Sequence, residues 1–283
     1  MIESTALPDA FQFSQVKLQD YVDCARRFQL RHLIMQPWPA LVVEPADEAE
    51  RQRQRGSDFH RMVQQHILGV DAARLEEAVS DHGPRDPILL GWWKAYLTQP
   101  PADLPDTVRR AEILVAAPLA GHRFVAKFDL LAADPGHRLV VVDWKTLRNP
   151  PPRSKLAGRL QTLVYRYLAV EAGAGHFGGT PPSPEQVEMV YWFANAAGEV
   201  QRFGYDPEQH ESAREYLTHL VREIATTREA IWPLTPDERQ CRFCKYRSLC
   251  DRGVQAGFLE NLDFDLEPDE PDIDLEQIAE IEF

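Results

Sequence analysis

Apolar positions along this chain recur at helical spacing, then at strand spacing, then at helical spacing again. In residues 14–36 Leu18, Tyr21, Val22 and Phe28 fall near helical spacing, and a Pro-containing loop, PWPALVVEPADE, follows. Residues 47–69 predict a second helix, with His60, Val63, Gln64 and Ile67 on one face by the i, i+3, i+4, i+7 rule. Shorter helical pieces are expected within 71–107, around LLGWWKAYL. The period then changes. AEILVAAPL (111–119), a turn at Gly121, HRFVAKFDLLAAD (122–134), a turn at Pro135-Gly136 and HRLVVVDWKT (137–146) predict three strands in a meander. PPPRSK breaks it. An amphipathic helix is expected over 156–174, a fourth strand over 186–195 with EVQRFGYD as its partner, and a long helix over 207–230. The fold class is therefore α/β, with a core in the order helix, three strands, helix, strand.

The 283 residues suffice for a sizeable core, and 44% hydrophobic with 27% charged residues is ordinary for a globular chain. No run of about 18 apolar residues exists to cross a membrane. MIESTALPDAFQF lacks the basic and apolar regions of a signal peptide, so a cytoplasmic protein is expected. The formal net charge of −13 argues at first against a polyanionic partner. Residues 259–283, however, hold eleven Asp and Glu and no Lys or Arg, and without them the charge is −2. A near-neutral body can carry a local basic groove. We divide the chain accordingly into one domain, 1–258, and an acidic tail, 259–283.

Chemistry concentrates in VVVDWKT, residues 140–146, where an apolar strand ends in an acid and an amine. Side chains alternate along a strand, so Asp143 and Lys145 share one face and Trp144 takes the other. The preceding strand presents Asp129, and the short turn between the two makes them antiparallel. With suitable register Asp129 and Asp143 meet beside Lys145. Two carboxylates with a backbone carbonyl, that of Trp144, make a hard oxygen site suited to Mg²⁺ or Mn²⁺. Lys145 is then placed to orient water or to neutralise charge on a phosphate. Taken by itself, Asp-x-Lys is more often a salt bridge at a strand end.

The ordered set His60 on a helix, Asp129 on a strand, Asp143-Trp144-Lys145 on the next, and Gln161-x-x-x-Tyr165 on a helix resembles the PD-(D/E)xK nuclease superfamily. It is most similar to the RecB-type branch. The resemblance covers about residues 50–195 and implies the restriction-endonuclease-like core. It also implies that His60, Asp129 and Asp143 are metal ligands and Lys145 is catalytic. Gln161 and Tyr165, one turn apart on a helix, would order the site and touch the nucleic-acid backbone. An acid is frequent where Glu112 stands, and we give it a lesser role.

The four cysteines are Cys24 and, in QCRFCKYRSLC, Cys241, Cys244 and Cys250. The C-x₂-C-x₅-C trio has metal-site spacing. One distant Cys before a C-terminal trio resembles the iron–sulfur nucleases of the same branch, the CRISPR-associated RecB-like and AddB-type proteins. That implies a [4Fe–4S] cluster clasping residues 14–36 to 231–253, with structural Zn²⁺ as the alternative.

Arg55, Arg61, Arg148, Arg153, Lys155 and Arg159 flank the proposed metal site and could line a phosphate channel. The resulting expectation is a metal-dependent DNA nuclease, an exonuclease, in repair, recombination or CRISPR-type processing. No GxxxxGK[ST] motif occurs, so unwinding is expected from a partner helicase. Two other readings stay open: a catalytically silent nucleic-acid-binding module of the same fold, and a zinc-stapled interaction protein. The tail is read either as a solubilising segment or as a mimic of nucleic acid that covers the basic groove. The mimic predicts that deleting 259–283 raises nuclease activity, and unchanged activity with unchanged DNA affinity would remove the idea.

Overall fold

The computed structural model describes residues 7–8, 10–36, 44–81, 86–147, 149–242 and 244–253, so the acidic tail and Arg148 lie outside the described residues. A short strand β1 (Gln12–Ser14) leads into α1 (Gln15–Asp23), whose first turn is capped by the Ser14 hydroxyl. The single helix expected over 14–36 is broken at Cys24, whose backbone is extended. It resumes as α2 (Ala25–Phe28) and a π-helical turn, Gln29–Leu33. The break lets Cys24 line a pocket with Cys241, Cys244 and Cys250.

Three helices follow: α3 (Glu44–Ile67), α4 (Ala72–Asp81) and α5 (Pro87–Thr98). Asp86 starts α5 by accepting from the Ile88 and Leu89 N–H groups, and Pro87 sits at the first position, where its missing N–H costs nothing. The meander is β2 (Val108–Leu119), β3 (His122–Asp134) and β4 (Arg138–Lys145). A helical crossover, α6 (Arg153–Ala157) and α7 (Leu160–Glu171), replaces the one helix expected over 156–174. Then come β5 (Val187–Phe193), β6 (Glu199–Gly204) and α8 (Pro207–Thr226). The expected order of helix, three strands, helix and strand is present.

The strands form one mixed sheet in the order β1-β3-β4-β5-β6, with β2 on the other edge of β3. β4 and β5 are parallel, which is why a helical crossover joins them. Both sheet faces are covered. Leu139 and Val141 of β4 enter a core built with Phe124, Tyr191, Leu168 and Leu217. Val140, Val142 and Trp144 enter a second core with Phe59, Trp92, Tyr96 and Trp192. A central strand buried on both faces reads as an unbroken apolar run, and this accounts for LVVV. Among the described residues no helix is long and apolar enough to cross a membrane.

The N-terminal helices are held to the segment at residues 230–232. Phe28 stacks on Trp232 with ring centroids 5.5 Å apart. Gln29, fully buried, donates to the Ala230 carbonyl at 2.9 Å and accepts from the Trp232 N–H at 3.0 Å. The β5–β6 turn depends on Gly198, at φ +81°, where an added Cβ would lie 2.8 Å from the Gln99 carbonyl. Gln99 accepts there from Trp192 Nε1, at 2.9 Å. We therefore expect Gly198→Ala to lower stability by about 1–3 kcal/mol. A urea midpoint at the wild-type value would show that the turn relaxes without cost.

Candidate metal centre

The site forms where two paired strands part. β3 and β4 are in register from Asp134↔Arg138 to Leu130↔Val142, while β4 stays paired to β5 as far as Lys145↔Phe193. Backbone groups freed by the parting need partners, and side chains supply them. The Trp144 N–H donates to Asp129 Oδ2 at 2.8 Å. The Trp144 carbonyl accepts from His60 Nε2 at 2.9 Å, and the Lys127 carbonyl accepts from the Tyr165 hydroxyl at 3.0 Å. The carbonyl cannot donate, so His60 Nε2 carries a hydrogen and Nδ1 faces Asp129 Oδ1, 3.4 Å away.

The other edge of β3 is distorted at the same level. β2 and β3 pair from Val108↔Ala133 to Leu119↔His122, but Glu112 and Asp129, which face each other in that register, drop out of the ladder. Glu112 has φ +54°. Phe124, Ala126 and Phe128 enter the first core, yet so do Leu131 and Ala133, so the alternation of β3 slips at Asp129. A left-handed Glu in a strand costs about 1–3 kcal/mol and persists where its surroundings enforce it.

His60, Glu112 and Asp129 offer ligand atoms within 4.8 Å of one another. The donor set is one imidazole and two carboxylates, which suits a hard divalent cation. The electrostatics agree. Burial opposes the His60 cation, but the Asp129 charge and hydrogen bond, with the Asp143 and Glu112 charges, raise its pKa to about 9. Burial and the Asp129 charge push the Glu112 carboxyl up, against the pull of its Lys127 ion pair. Burial also works against the Asp129 anion, but His60, the Trp144 N–H and Lys145 hold its pKa down. In this state the imidazolium supplies the positive charge that the two acids require.

Asp143 stands beside this group rather than in it. Its carboxylate pairs with Lys145 Nζ at 3.0 Å and accepts from Gln161 Nε2 at 2.8 Å, with Asp143 and Lys145 both about 4% exposed. The structure thus brings His60 and Asp129 together with Glu112, and holds Asp143 on Lys145 and Gln161. Tyr165 is buried against Phe128 and braces β3 through the Lys127 carbonyl. Glu112 was legible by counting. The Leu119↔His122 turn fixes the register, and stepping back along both strands sets Glu112 opposite Asp129.

Gly56 sets the depth of the site. A Cβ there would stand 3.3 Å from Thr146 Oγ1, so glycine lets α3 close on the end of β4 about one turn before His60. The basic candidates divide. Arg55 and Arg61 are held by Asp86 and Asp58. Arg153 lies over the Phe203 ring at 4.3 Å, and Arg153 and Lys155 are exposed, with Arg159 half-buried, on the α6–α7 elbow. No disulfide joins the four cysteines, and burial pushes Cys241, Cys244 and Cys250 up in pKa.

The model of the PD-(D/E)XK nuclease superfamily matches residues 12–251. No curated protein matches the chain. Among solved structures, a protein from Eubacterium rectale whose name proposes an exonuclease is similar at 10% identity and a TM-score of 0.45, covering 76% of this chain and 80% of that one. SSO0001 is similar at 9% identity and a TM-score of 0.37, covering 89% and 91%.

The raised His60 pKa has a consequence for stability. Its contribution is complete below the ordinary value of 6.5 and is lost as pH rises through about 9. The melting temperature of the metal-free protein should fall across that interval. Metal binding needs the neutral imidazole, so it should release about one proton at pH 7 and tighten as pH rises. A melting temperature flat across this range, with no proton release by calorimetry, would show that His60 is neutral in the fold.

Proposed function

The chain belongs to the PD-(D/E)XK nuclease superfamily, and from that premise we propose that it is a divalent-metal-dependent DNA exonuclease with an iron–sulfur clasp of the RecB type. The observation that carries the catalytic half is the parting of β3 from β4. It sets His60, Glu112 and Asp129 within 4.8 Å of one another and leaves a buried Asp143–Lys145 pair beside them. His60, Asp129 and Asp143 would hold Mg²⁺ or Mn²⁺, with Glu112 as a further donor. Bound there, the cation supplies Lewis acidity toward a phosphodiester.

The remaining work falls to side chains on the page. Lys145, paired with Asp143 at 3.0 Å, stabilises negative charge that develops on the phosphate and orients the attacking water. Gln161 fixes the Asp143 carboxylate, and Tyr165 fixes the strand that carries Asp129. Arg153, Lys155 and Arg159, on the elbow before α7, meet the backbone of the nucleic acid. A helicase as partner, and a place in repair, recombination or CRISPR-type DNA processing, belong to the same reading.

The clasp rests on cysteine geometry. Cys24, Cys241, Cys244 and Cys250 line one pocket. Four thiolates lining one pocket are the donor set that a polynuclear iron–sulfur cluster takes.

Protein purified without oxygen should cut end-labelled single- or double-stranded DNA with Mn²⁺ or Mg²⁺. Lys145→Ala should lower the rate by roughly 10²–10³-fold with binding retained. Metal analysis should find about four irons per chain, lost in Cys24→Ser. DNA binding without cleavage under either metal would leave the silent module instead, and zinc in place of iron would overturn the cluster.

A further inference from the structure

Behind the Asp143–Lys145 pair and Gln161 lie two further polar groups, Tyr191 and Thr162, which the reading above does not use. Tyr191 of β5 is the register partner of Asp143, and it is fully buried. Its hydroxyl lies 2.7 Å from Thr162 Oγ1, and Thr162 is fully buried as well. The Thr162 hydroxyl donates to the Leu156 carbonyl at 2.6 Å. Its hydrogen is thereby committed, so the Tyr191 hydroxyl is the donor between the two. The same Tyr191 hydroxyl also points to Gln161 Oε1, at 3.4 Å. Gln161 then turns its Nε2 to Asp143 Oδ1, at 2.8 Å. The Tyr191 ring, finally, lies 5.7 Å from Lys145 Nζ.

The Asp143 carboxylate requires Nε2 toward it, and the Tyr191 hydroxyl, whose one hydrogen is shared between Thr162 at 2.7 Å and, as the weaker arm, Oε1 at 3.4 Å, favours the same orientation of the Gln161 amide. The reversed amide would turn its oxygen toward a carboxylate. The packing alone does not need these hydroxyls. Phenylalanine at 191 and valine at 162 would fill nearly the same volume, and a buried hydroxyl costs free energy unless it is bonded. The bond from Thr162 to Leu156 also spans the break between α6 and α7, at the elbow that carries Arg153, Lys155 and Arg159.

We propose that Tyr191 and Thr162 are positioning residues, which set the Gln161 amide and thereby the Asp143 carboxylate, and tie both to the α6–α7 elbow. The inference rests on the proposed metal-dependent site. Groups that orient a ligand from behind are typically worth 10–100-fold in metal affinity or activity.

The test uses the full chain purified without oxygen, Mn²⁺ titration by calorimetry, and steady-state cleavage of end-labelled DNA. Tyr191→Phe and Thr162→Val should each weaken Mn²⁺ binding by about tenfold or more. They should lower kcat with KM for DNA within about twofold of wild type. Thr162→Ser keeps the hydroxyl and should restore both values. Tyr167→Phe, another buried tyrosine but stacked on His210 away from the site, should match wild type and so control for a loosened core. Tyr191→Phe at wild-type Mn²⁺ affinity and kcat would overturn the inference while leaving the nuclease reading intact. A wild-type chain that binds Mn²⁺ more tightly than Tyr191→Phe yet cuts nothing would support the inference and remove the nuclease reading.

Discussion

Everything in the site follows from one substitution of partners: a carboxylate takes a hydrogen bond that a neighbouring strand would otherwise supply. Asp129 accepts the Trp144 N–H, and so β4 leaves β3 after Val142 without an orphaned donor. The carbonyls freed by the same parting go to His60 and Tyr165. Each of these side chains is therefore a structural requirement of the sheet before it is a chemical one. This is why they can be held so closely in a region where the ladder itself has stopped. The parallel pairing with β5 keeps β4 straight while it loses its other neighbour.

The charges gathered at this opening balance. Three acids, Glu112, Asp129 and Asp143, are paired with three bases, Lys127, His60 and Lys145, and as ion pairs they sum to zero. Buried charges are tolerated when paired and costly when they are not. Exchanging the His60 proton for a divalent cation shifts this local sum to +1. One phosphodiester returns it to zero. On the proposed reading the site is neutral when empty of metal and neutral again when substrate and metal are both present. It carries excess positive charge only in the state that should attract a phosphate.

The architecture was legible where burial leaves a pattern. LVVV announces a strand covered on both faces, and the tight turns at Gly121 and Gly136 carry the register across β2, β3 and β4. Those turns were enough to set Asp129 near Asp143 and Lys145. Other features leave no such trace. β1 is three residues long, too short for a period of two to show. The break at Cys24 interrupts apolar spacing that would suit an unbroken helix. The left-handed backbone of Glu112 is enforced by neighbours across the sheet, so no local residue preference announces it. Tyr191 and Thr162 read as core because their hydroxyls find partners in α6 and α7, which only the folded chain brings near.

The Gln29 amide joins segments about two hundred residues apart, bonding to Ala230 and Trp232 together. During synthesis the chain emerges from its N-terminus, so α1, α2 and the π-helical turn exist before their partner does. At ribosomal speeds of about 5–20 residues per second, the wait is roughly 10–40 s. Phe28 and the buried Gln29 must remain soluble over that time, without the aromatic face and backbone groups that later cover them. The nuclease core, completed by β5, is made some forty residues earlier than the segment that closes over Gln29. The order of synthesis thus makes this clasp form after the nuclease core.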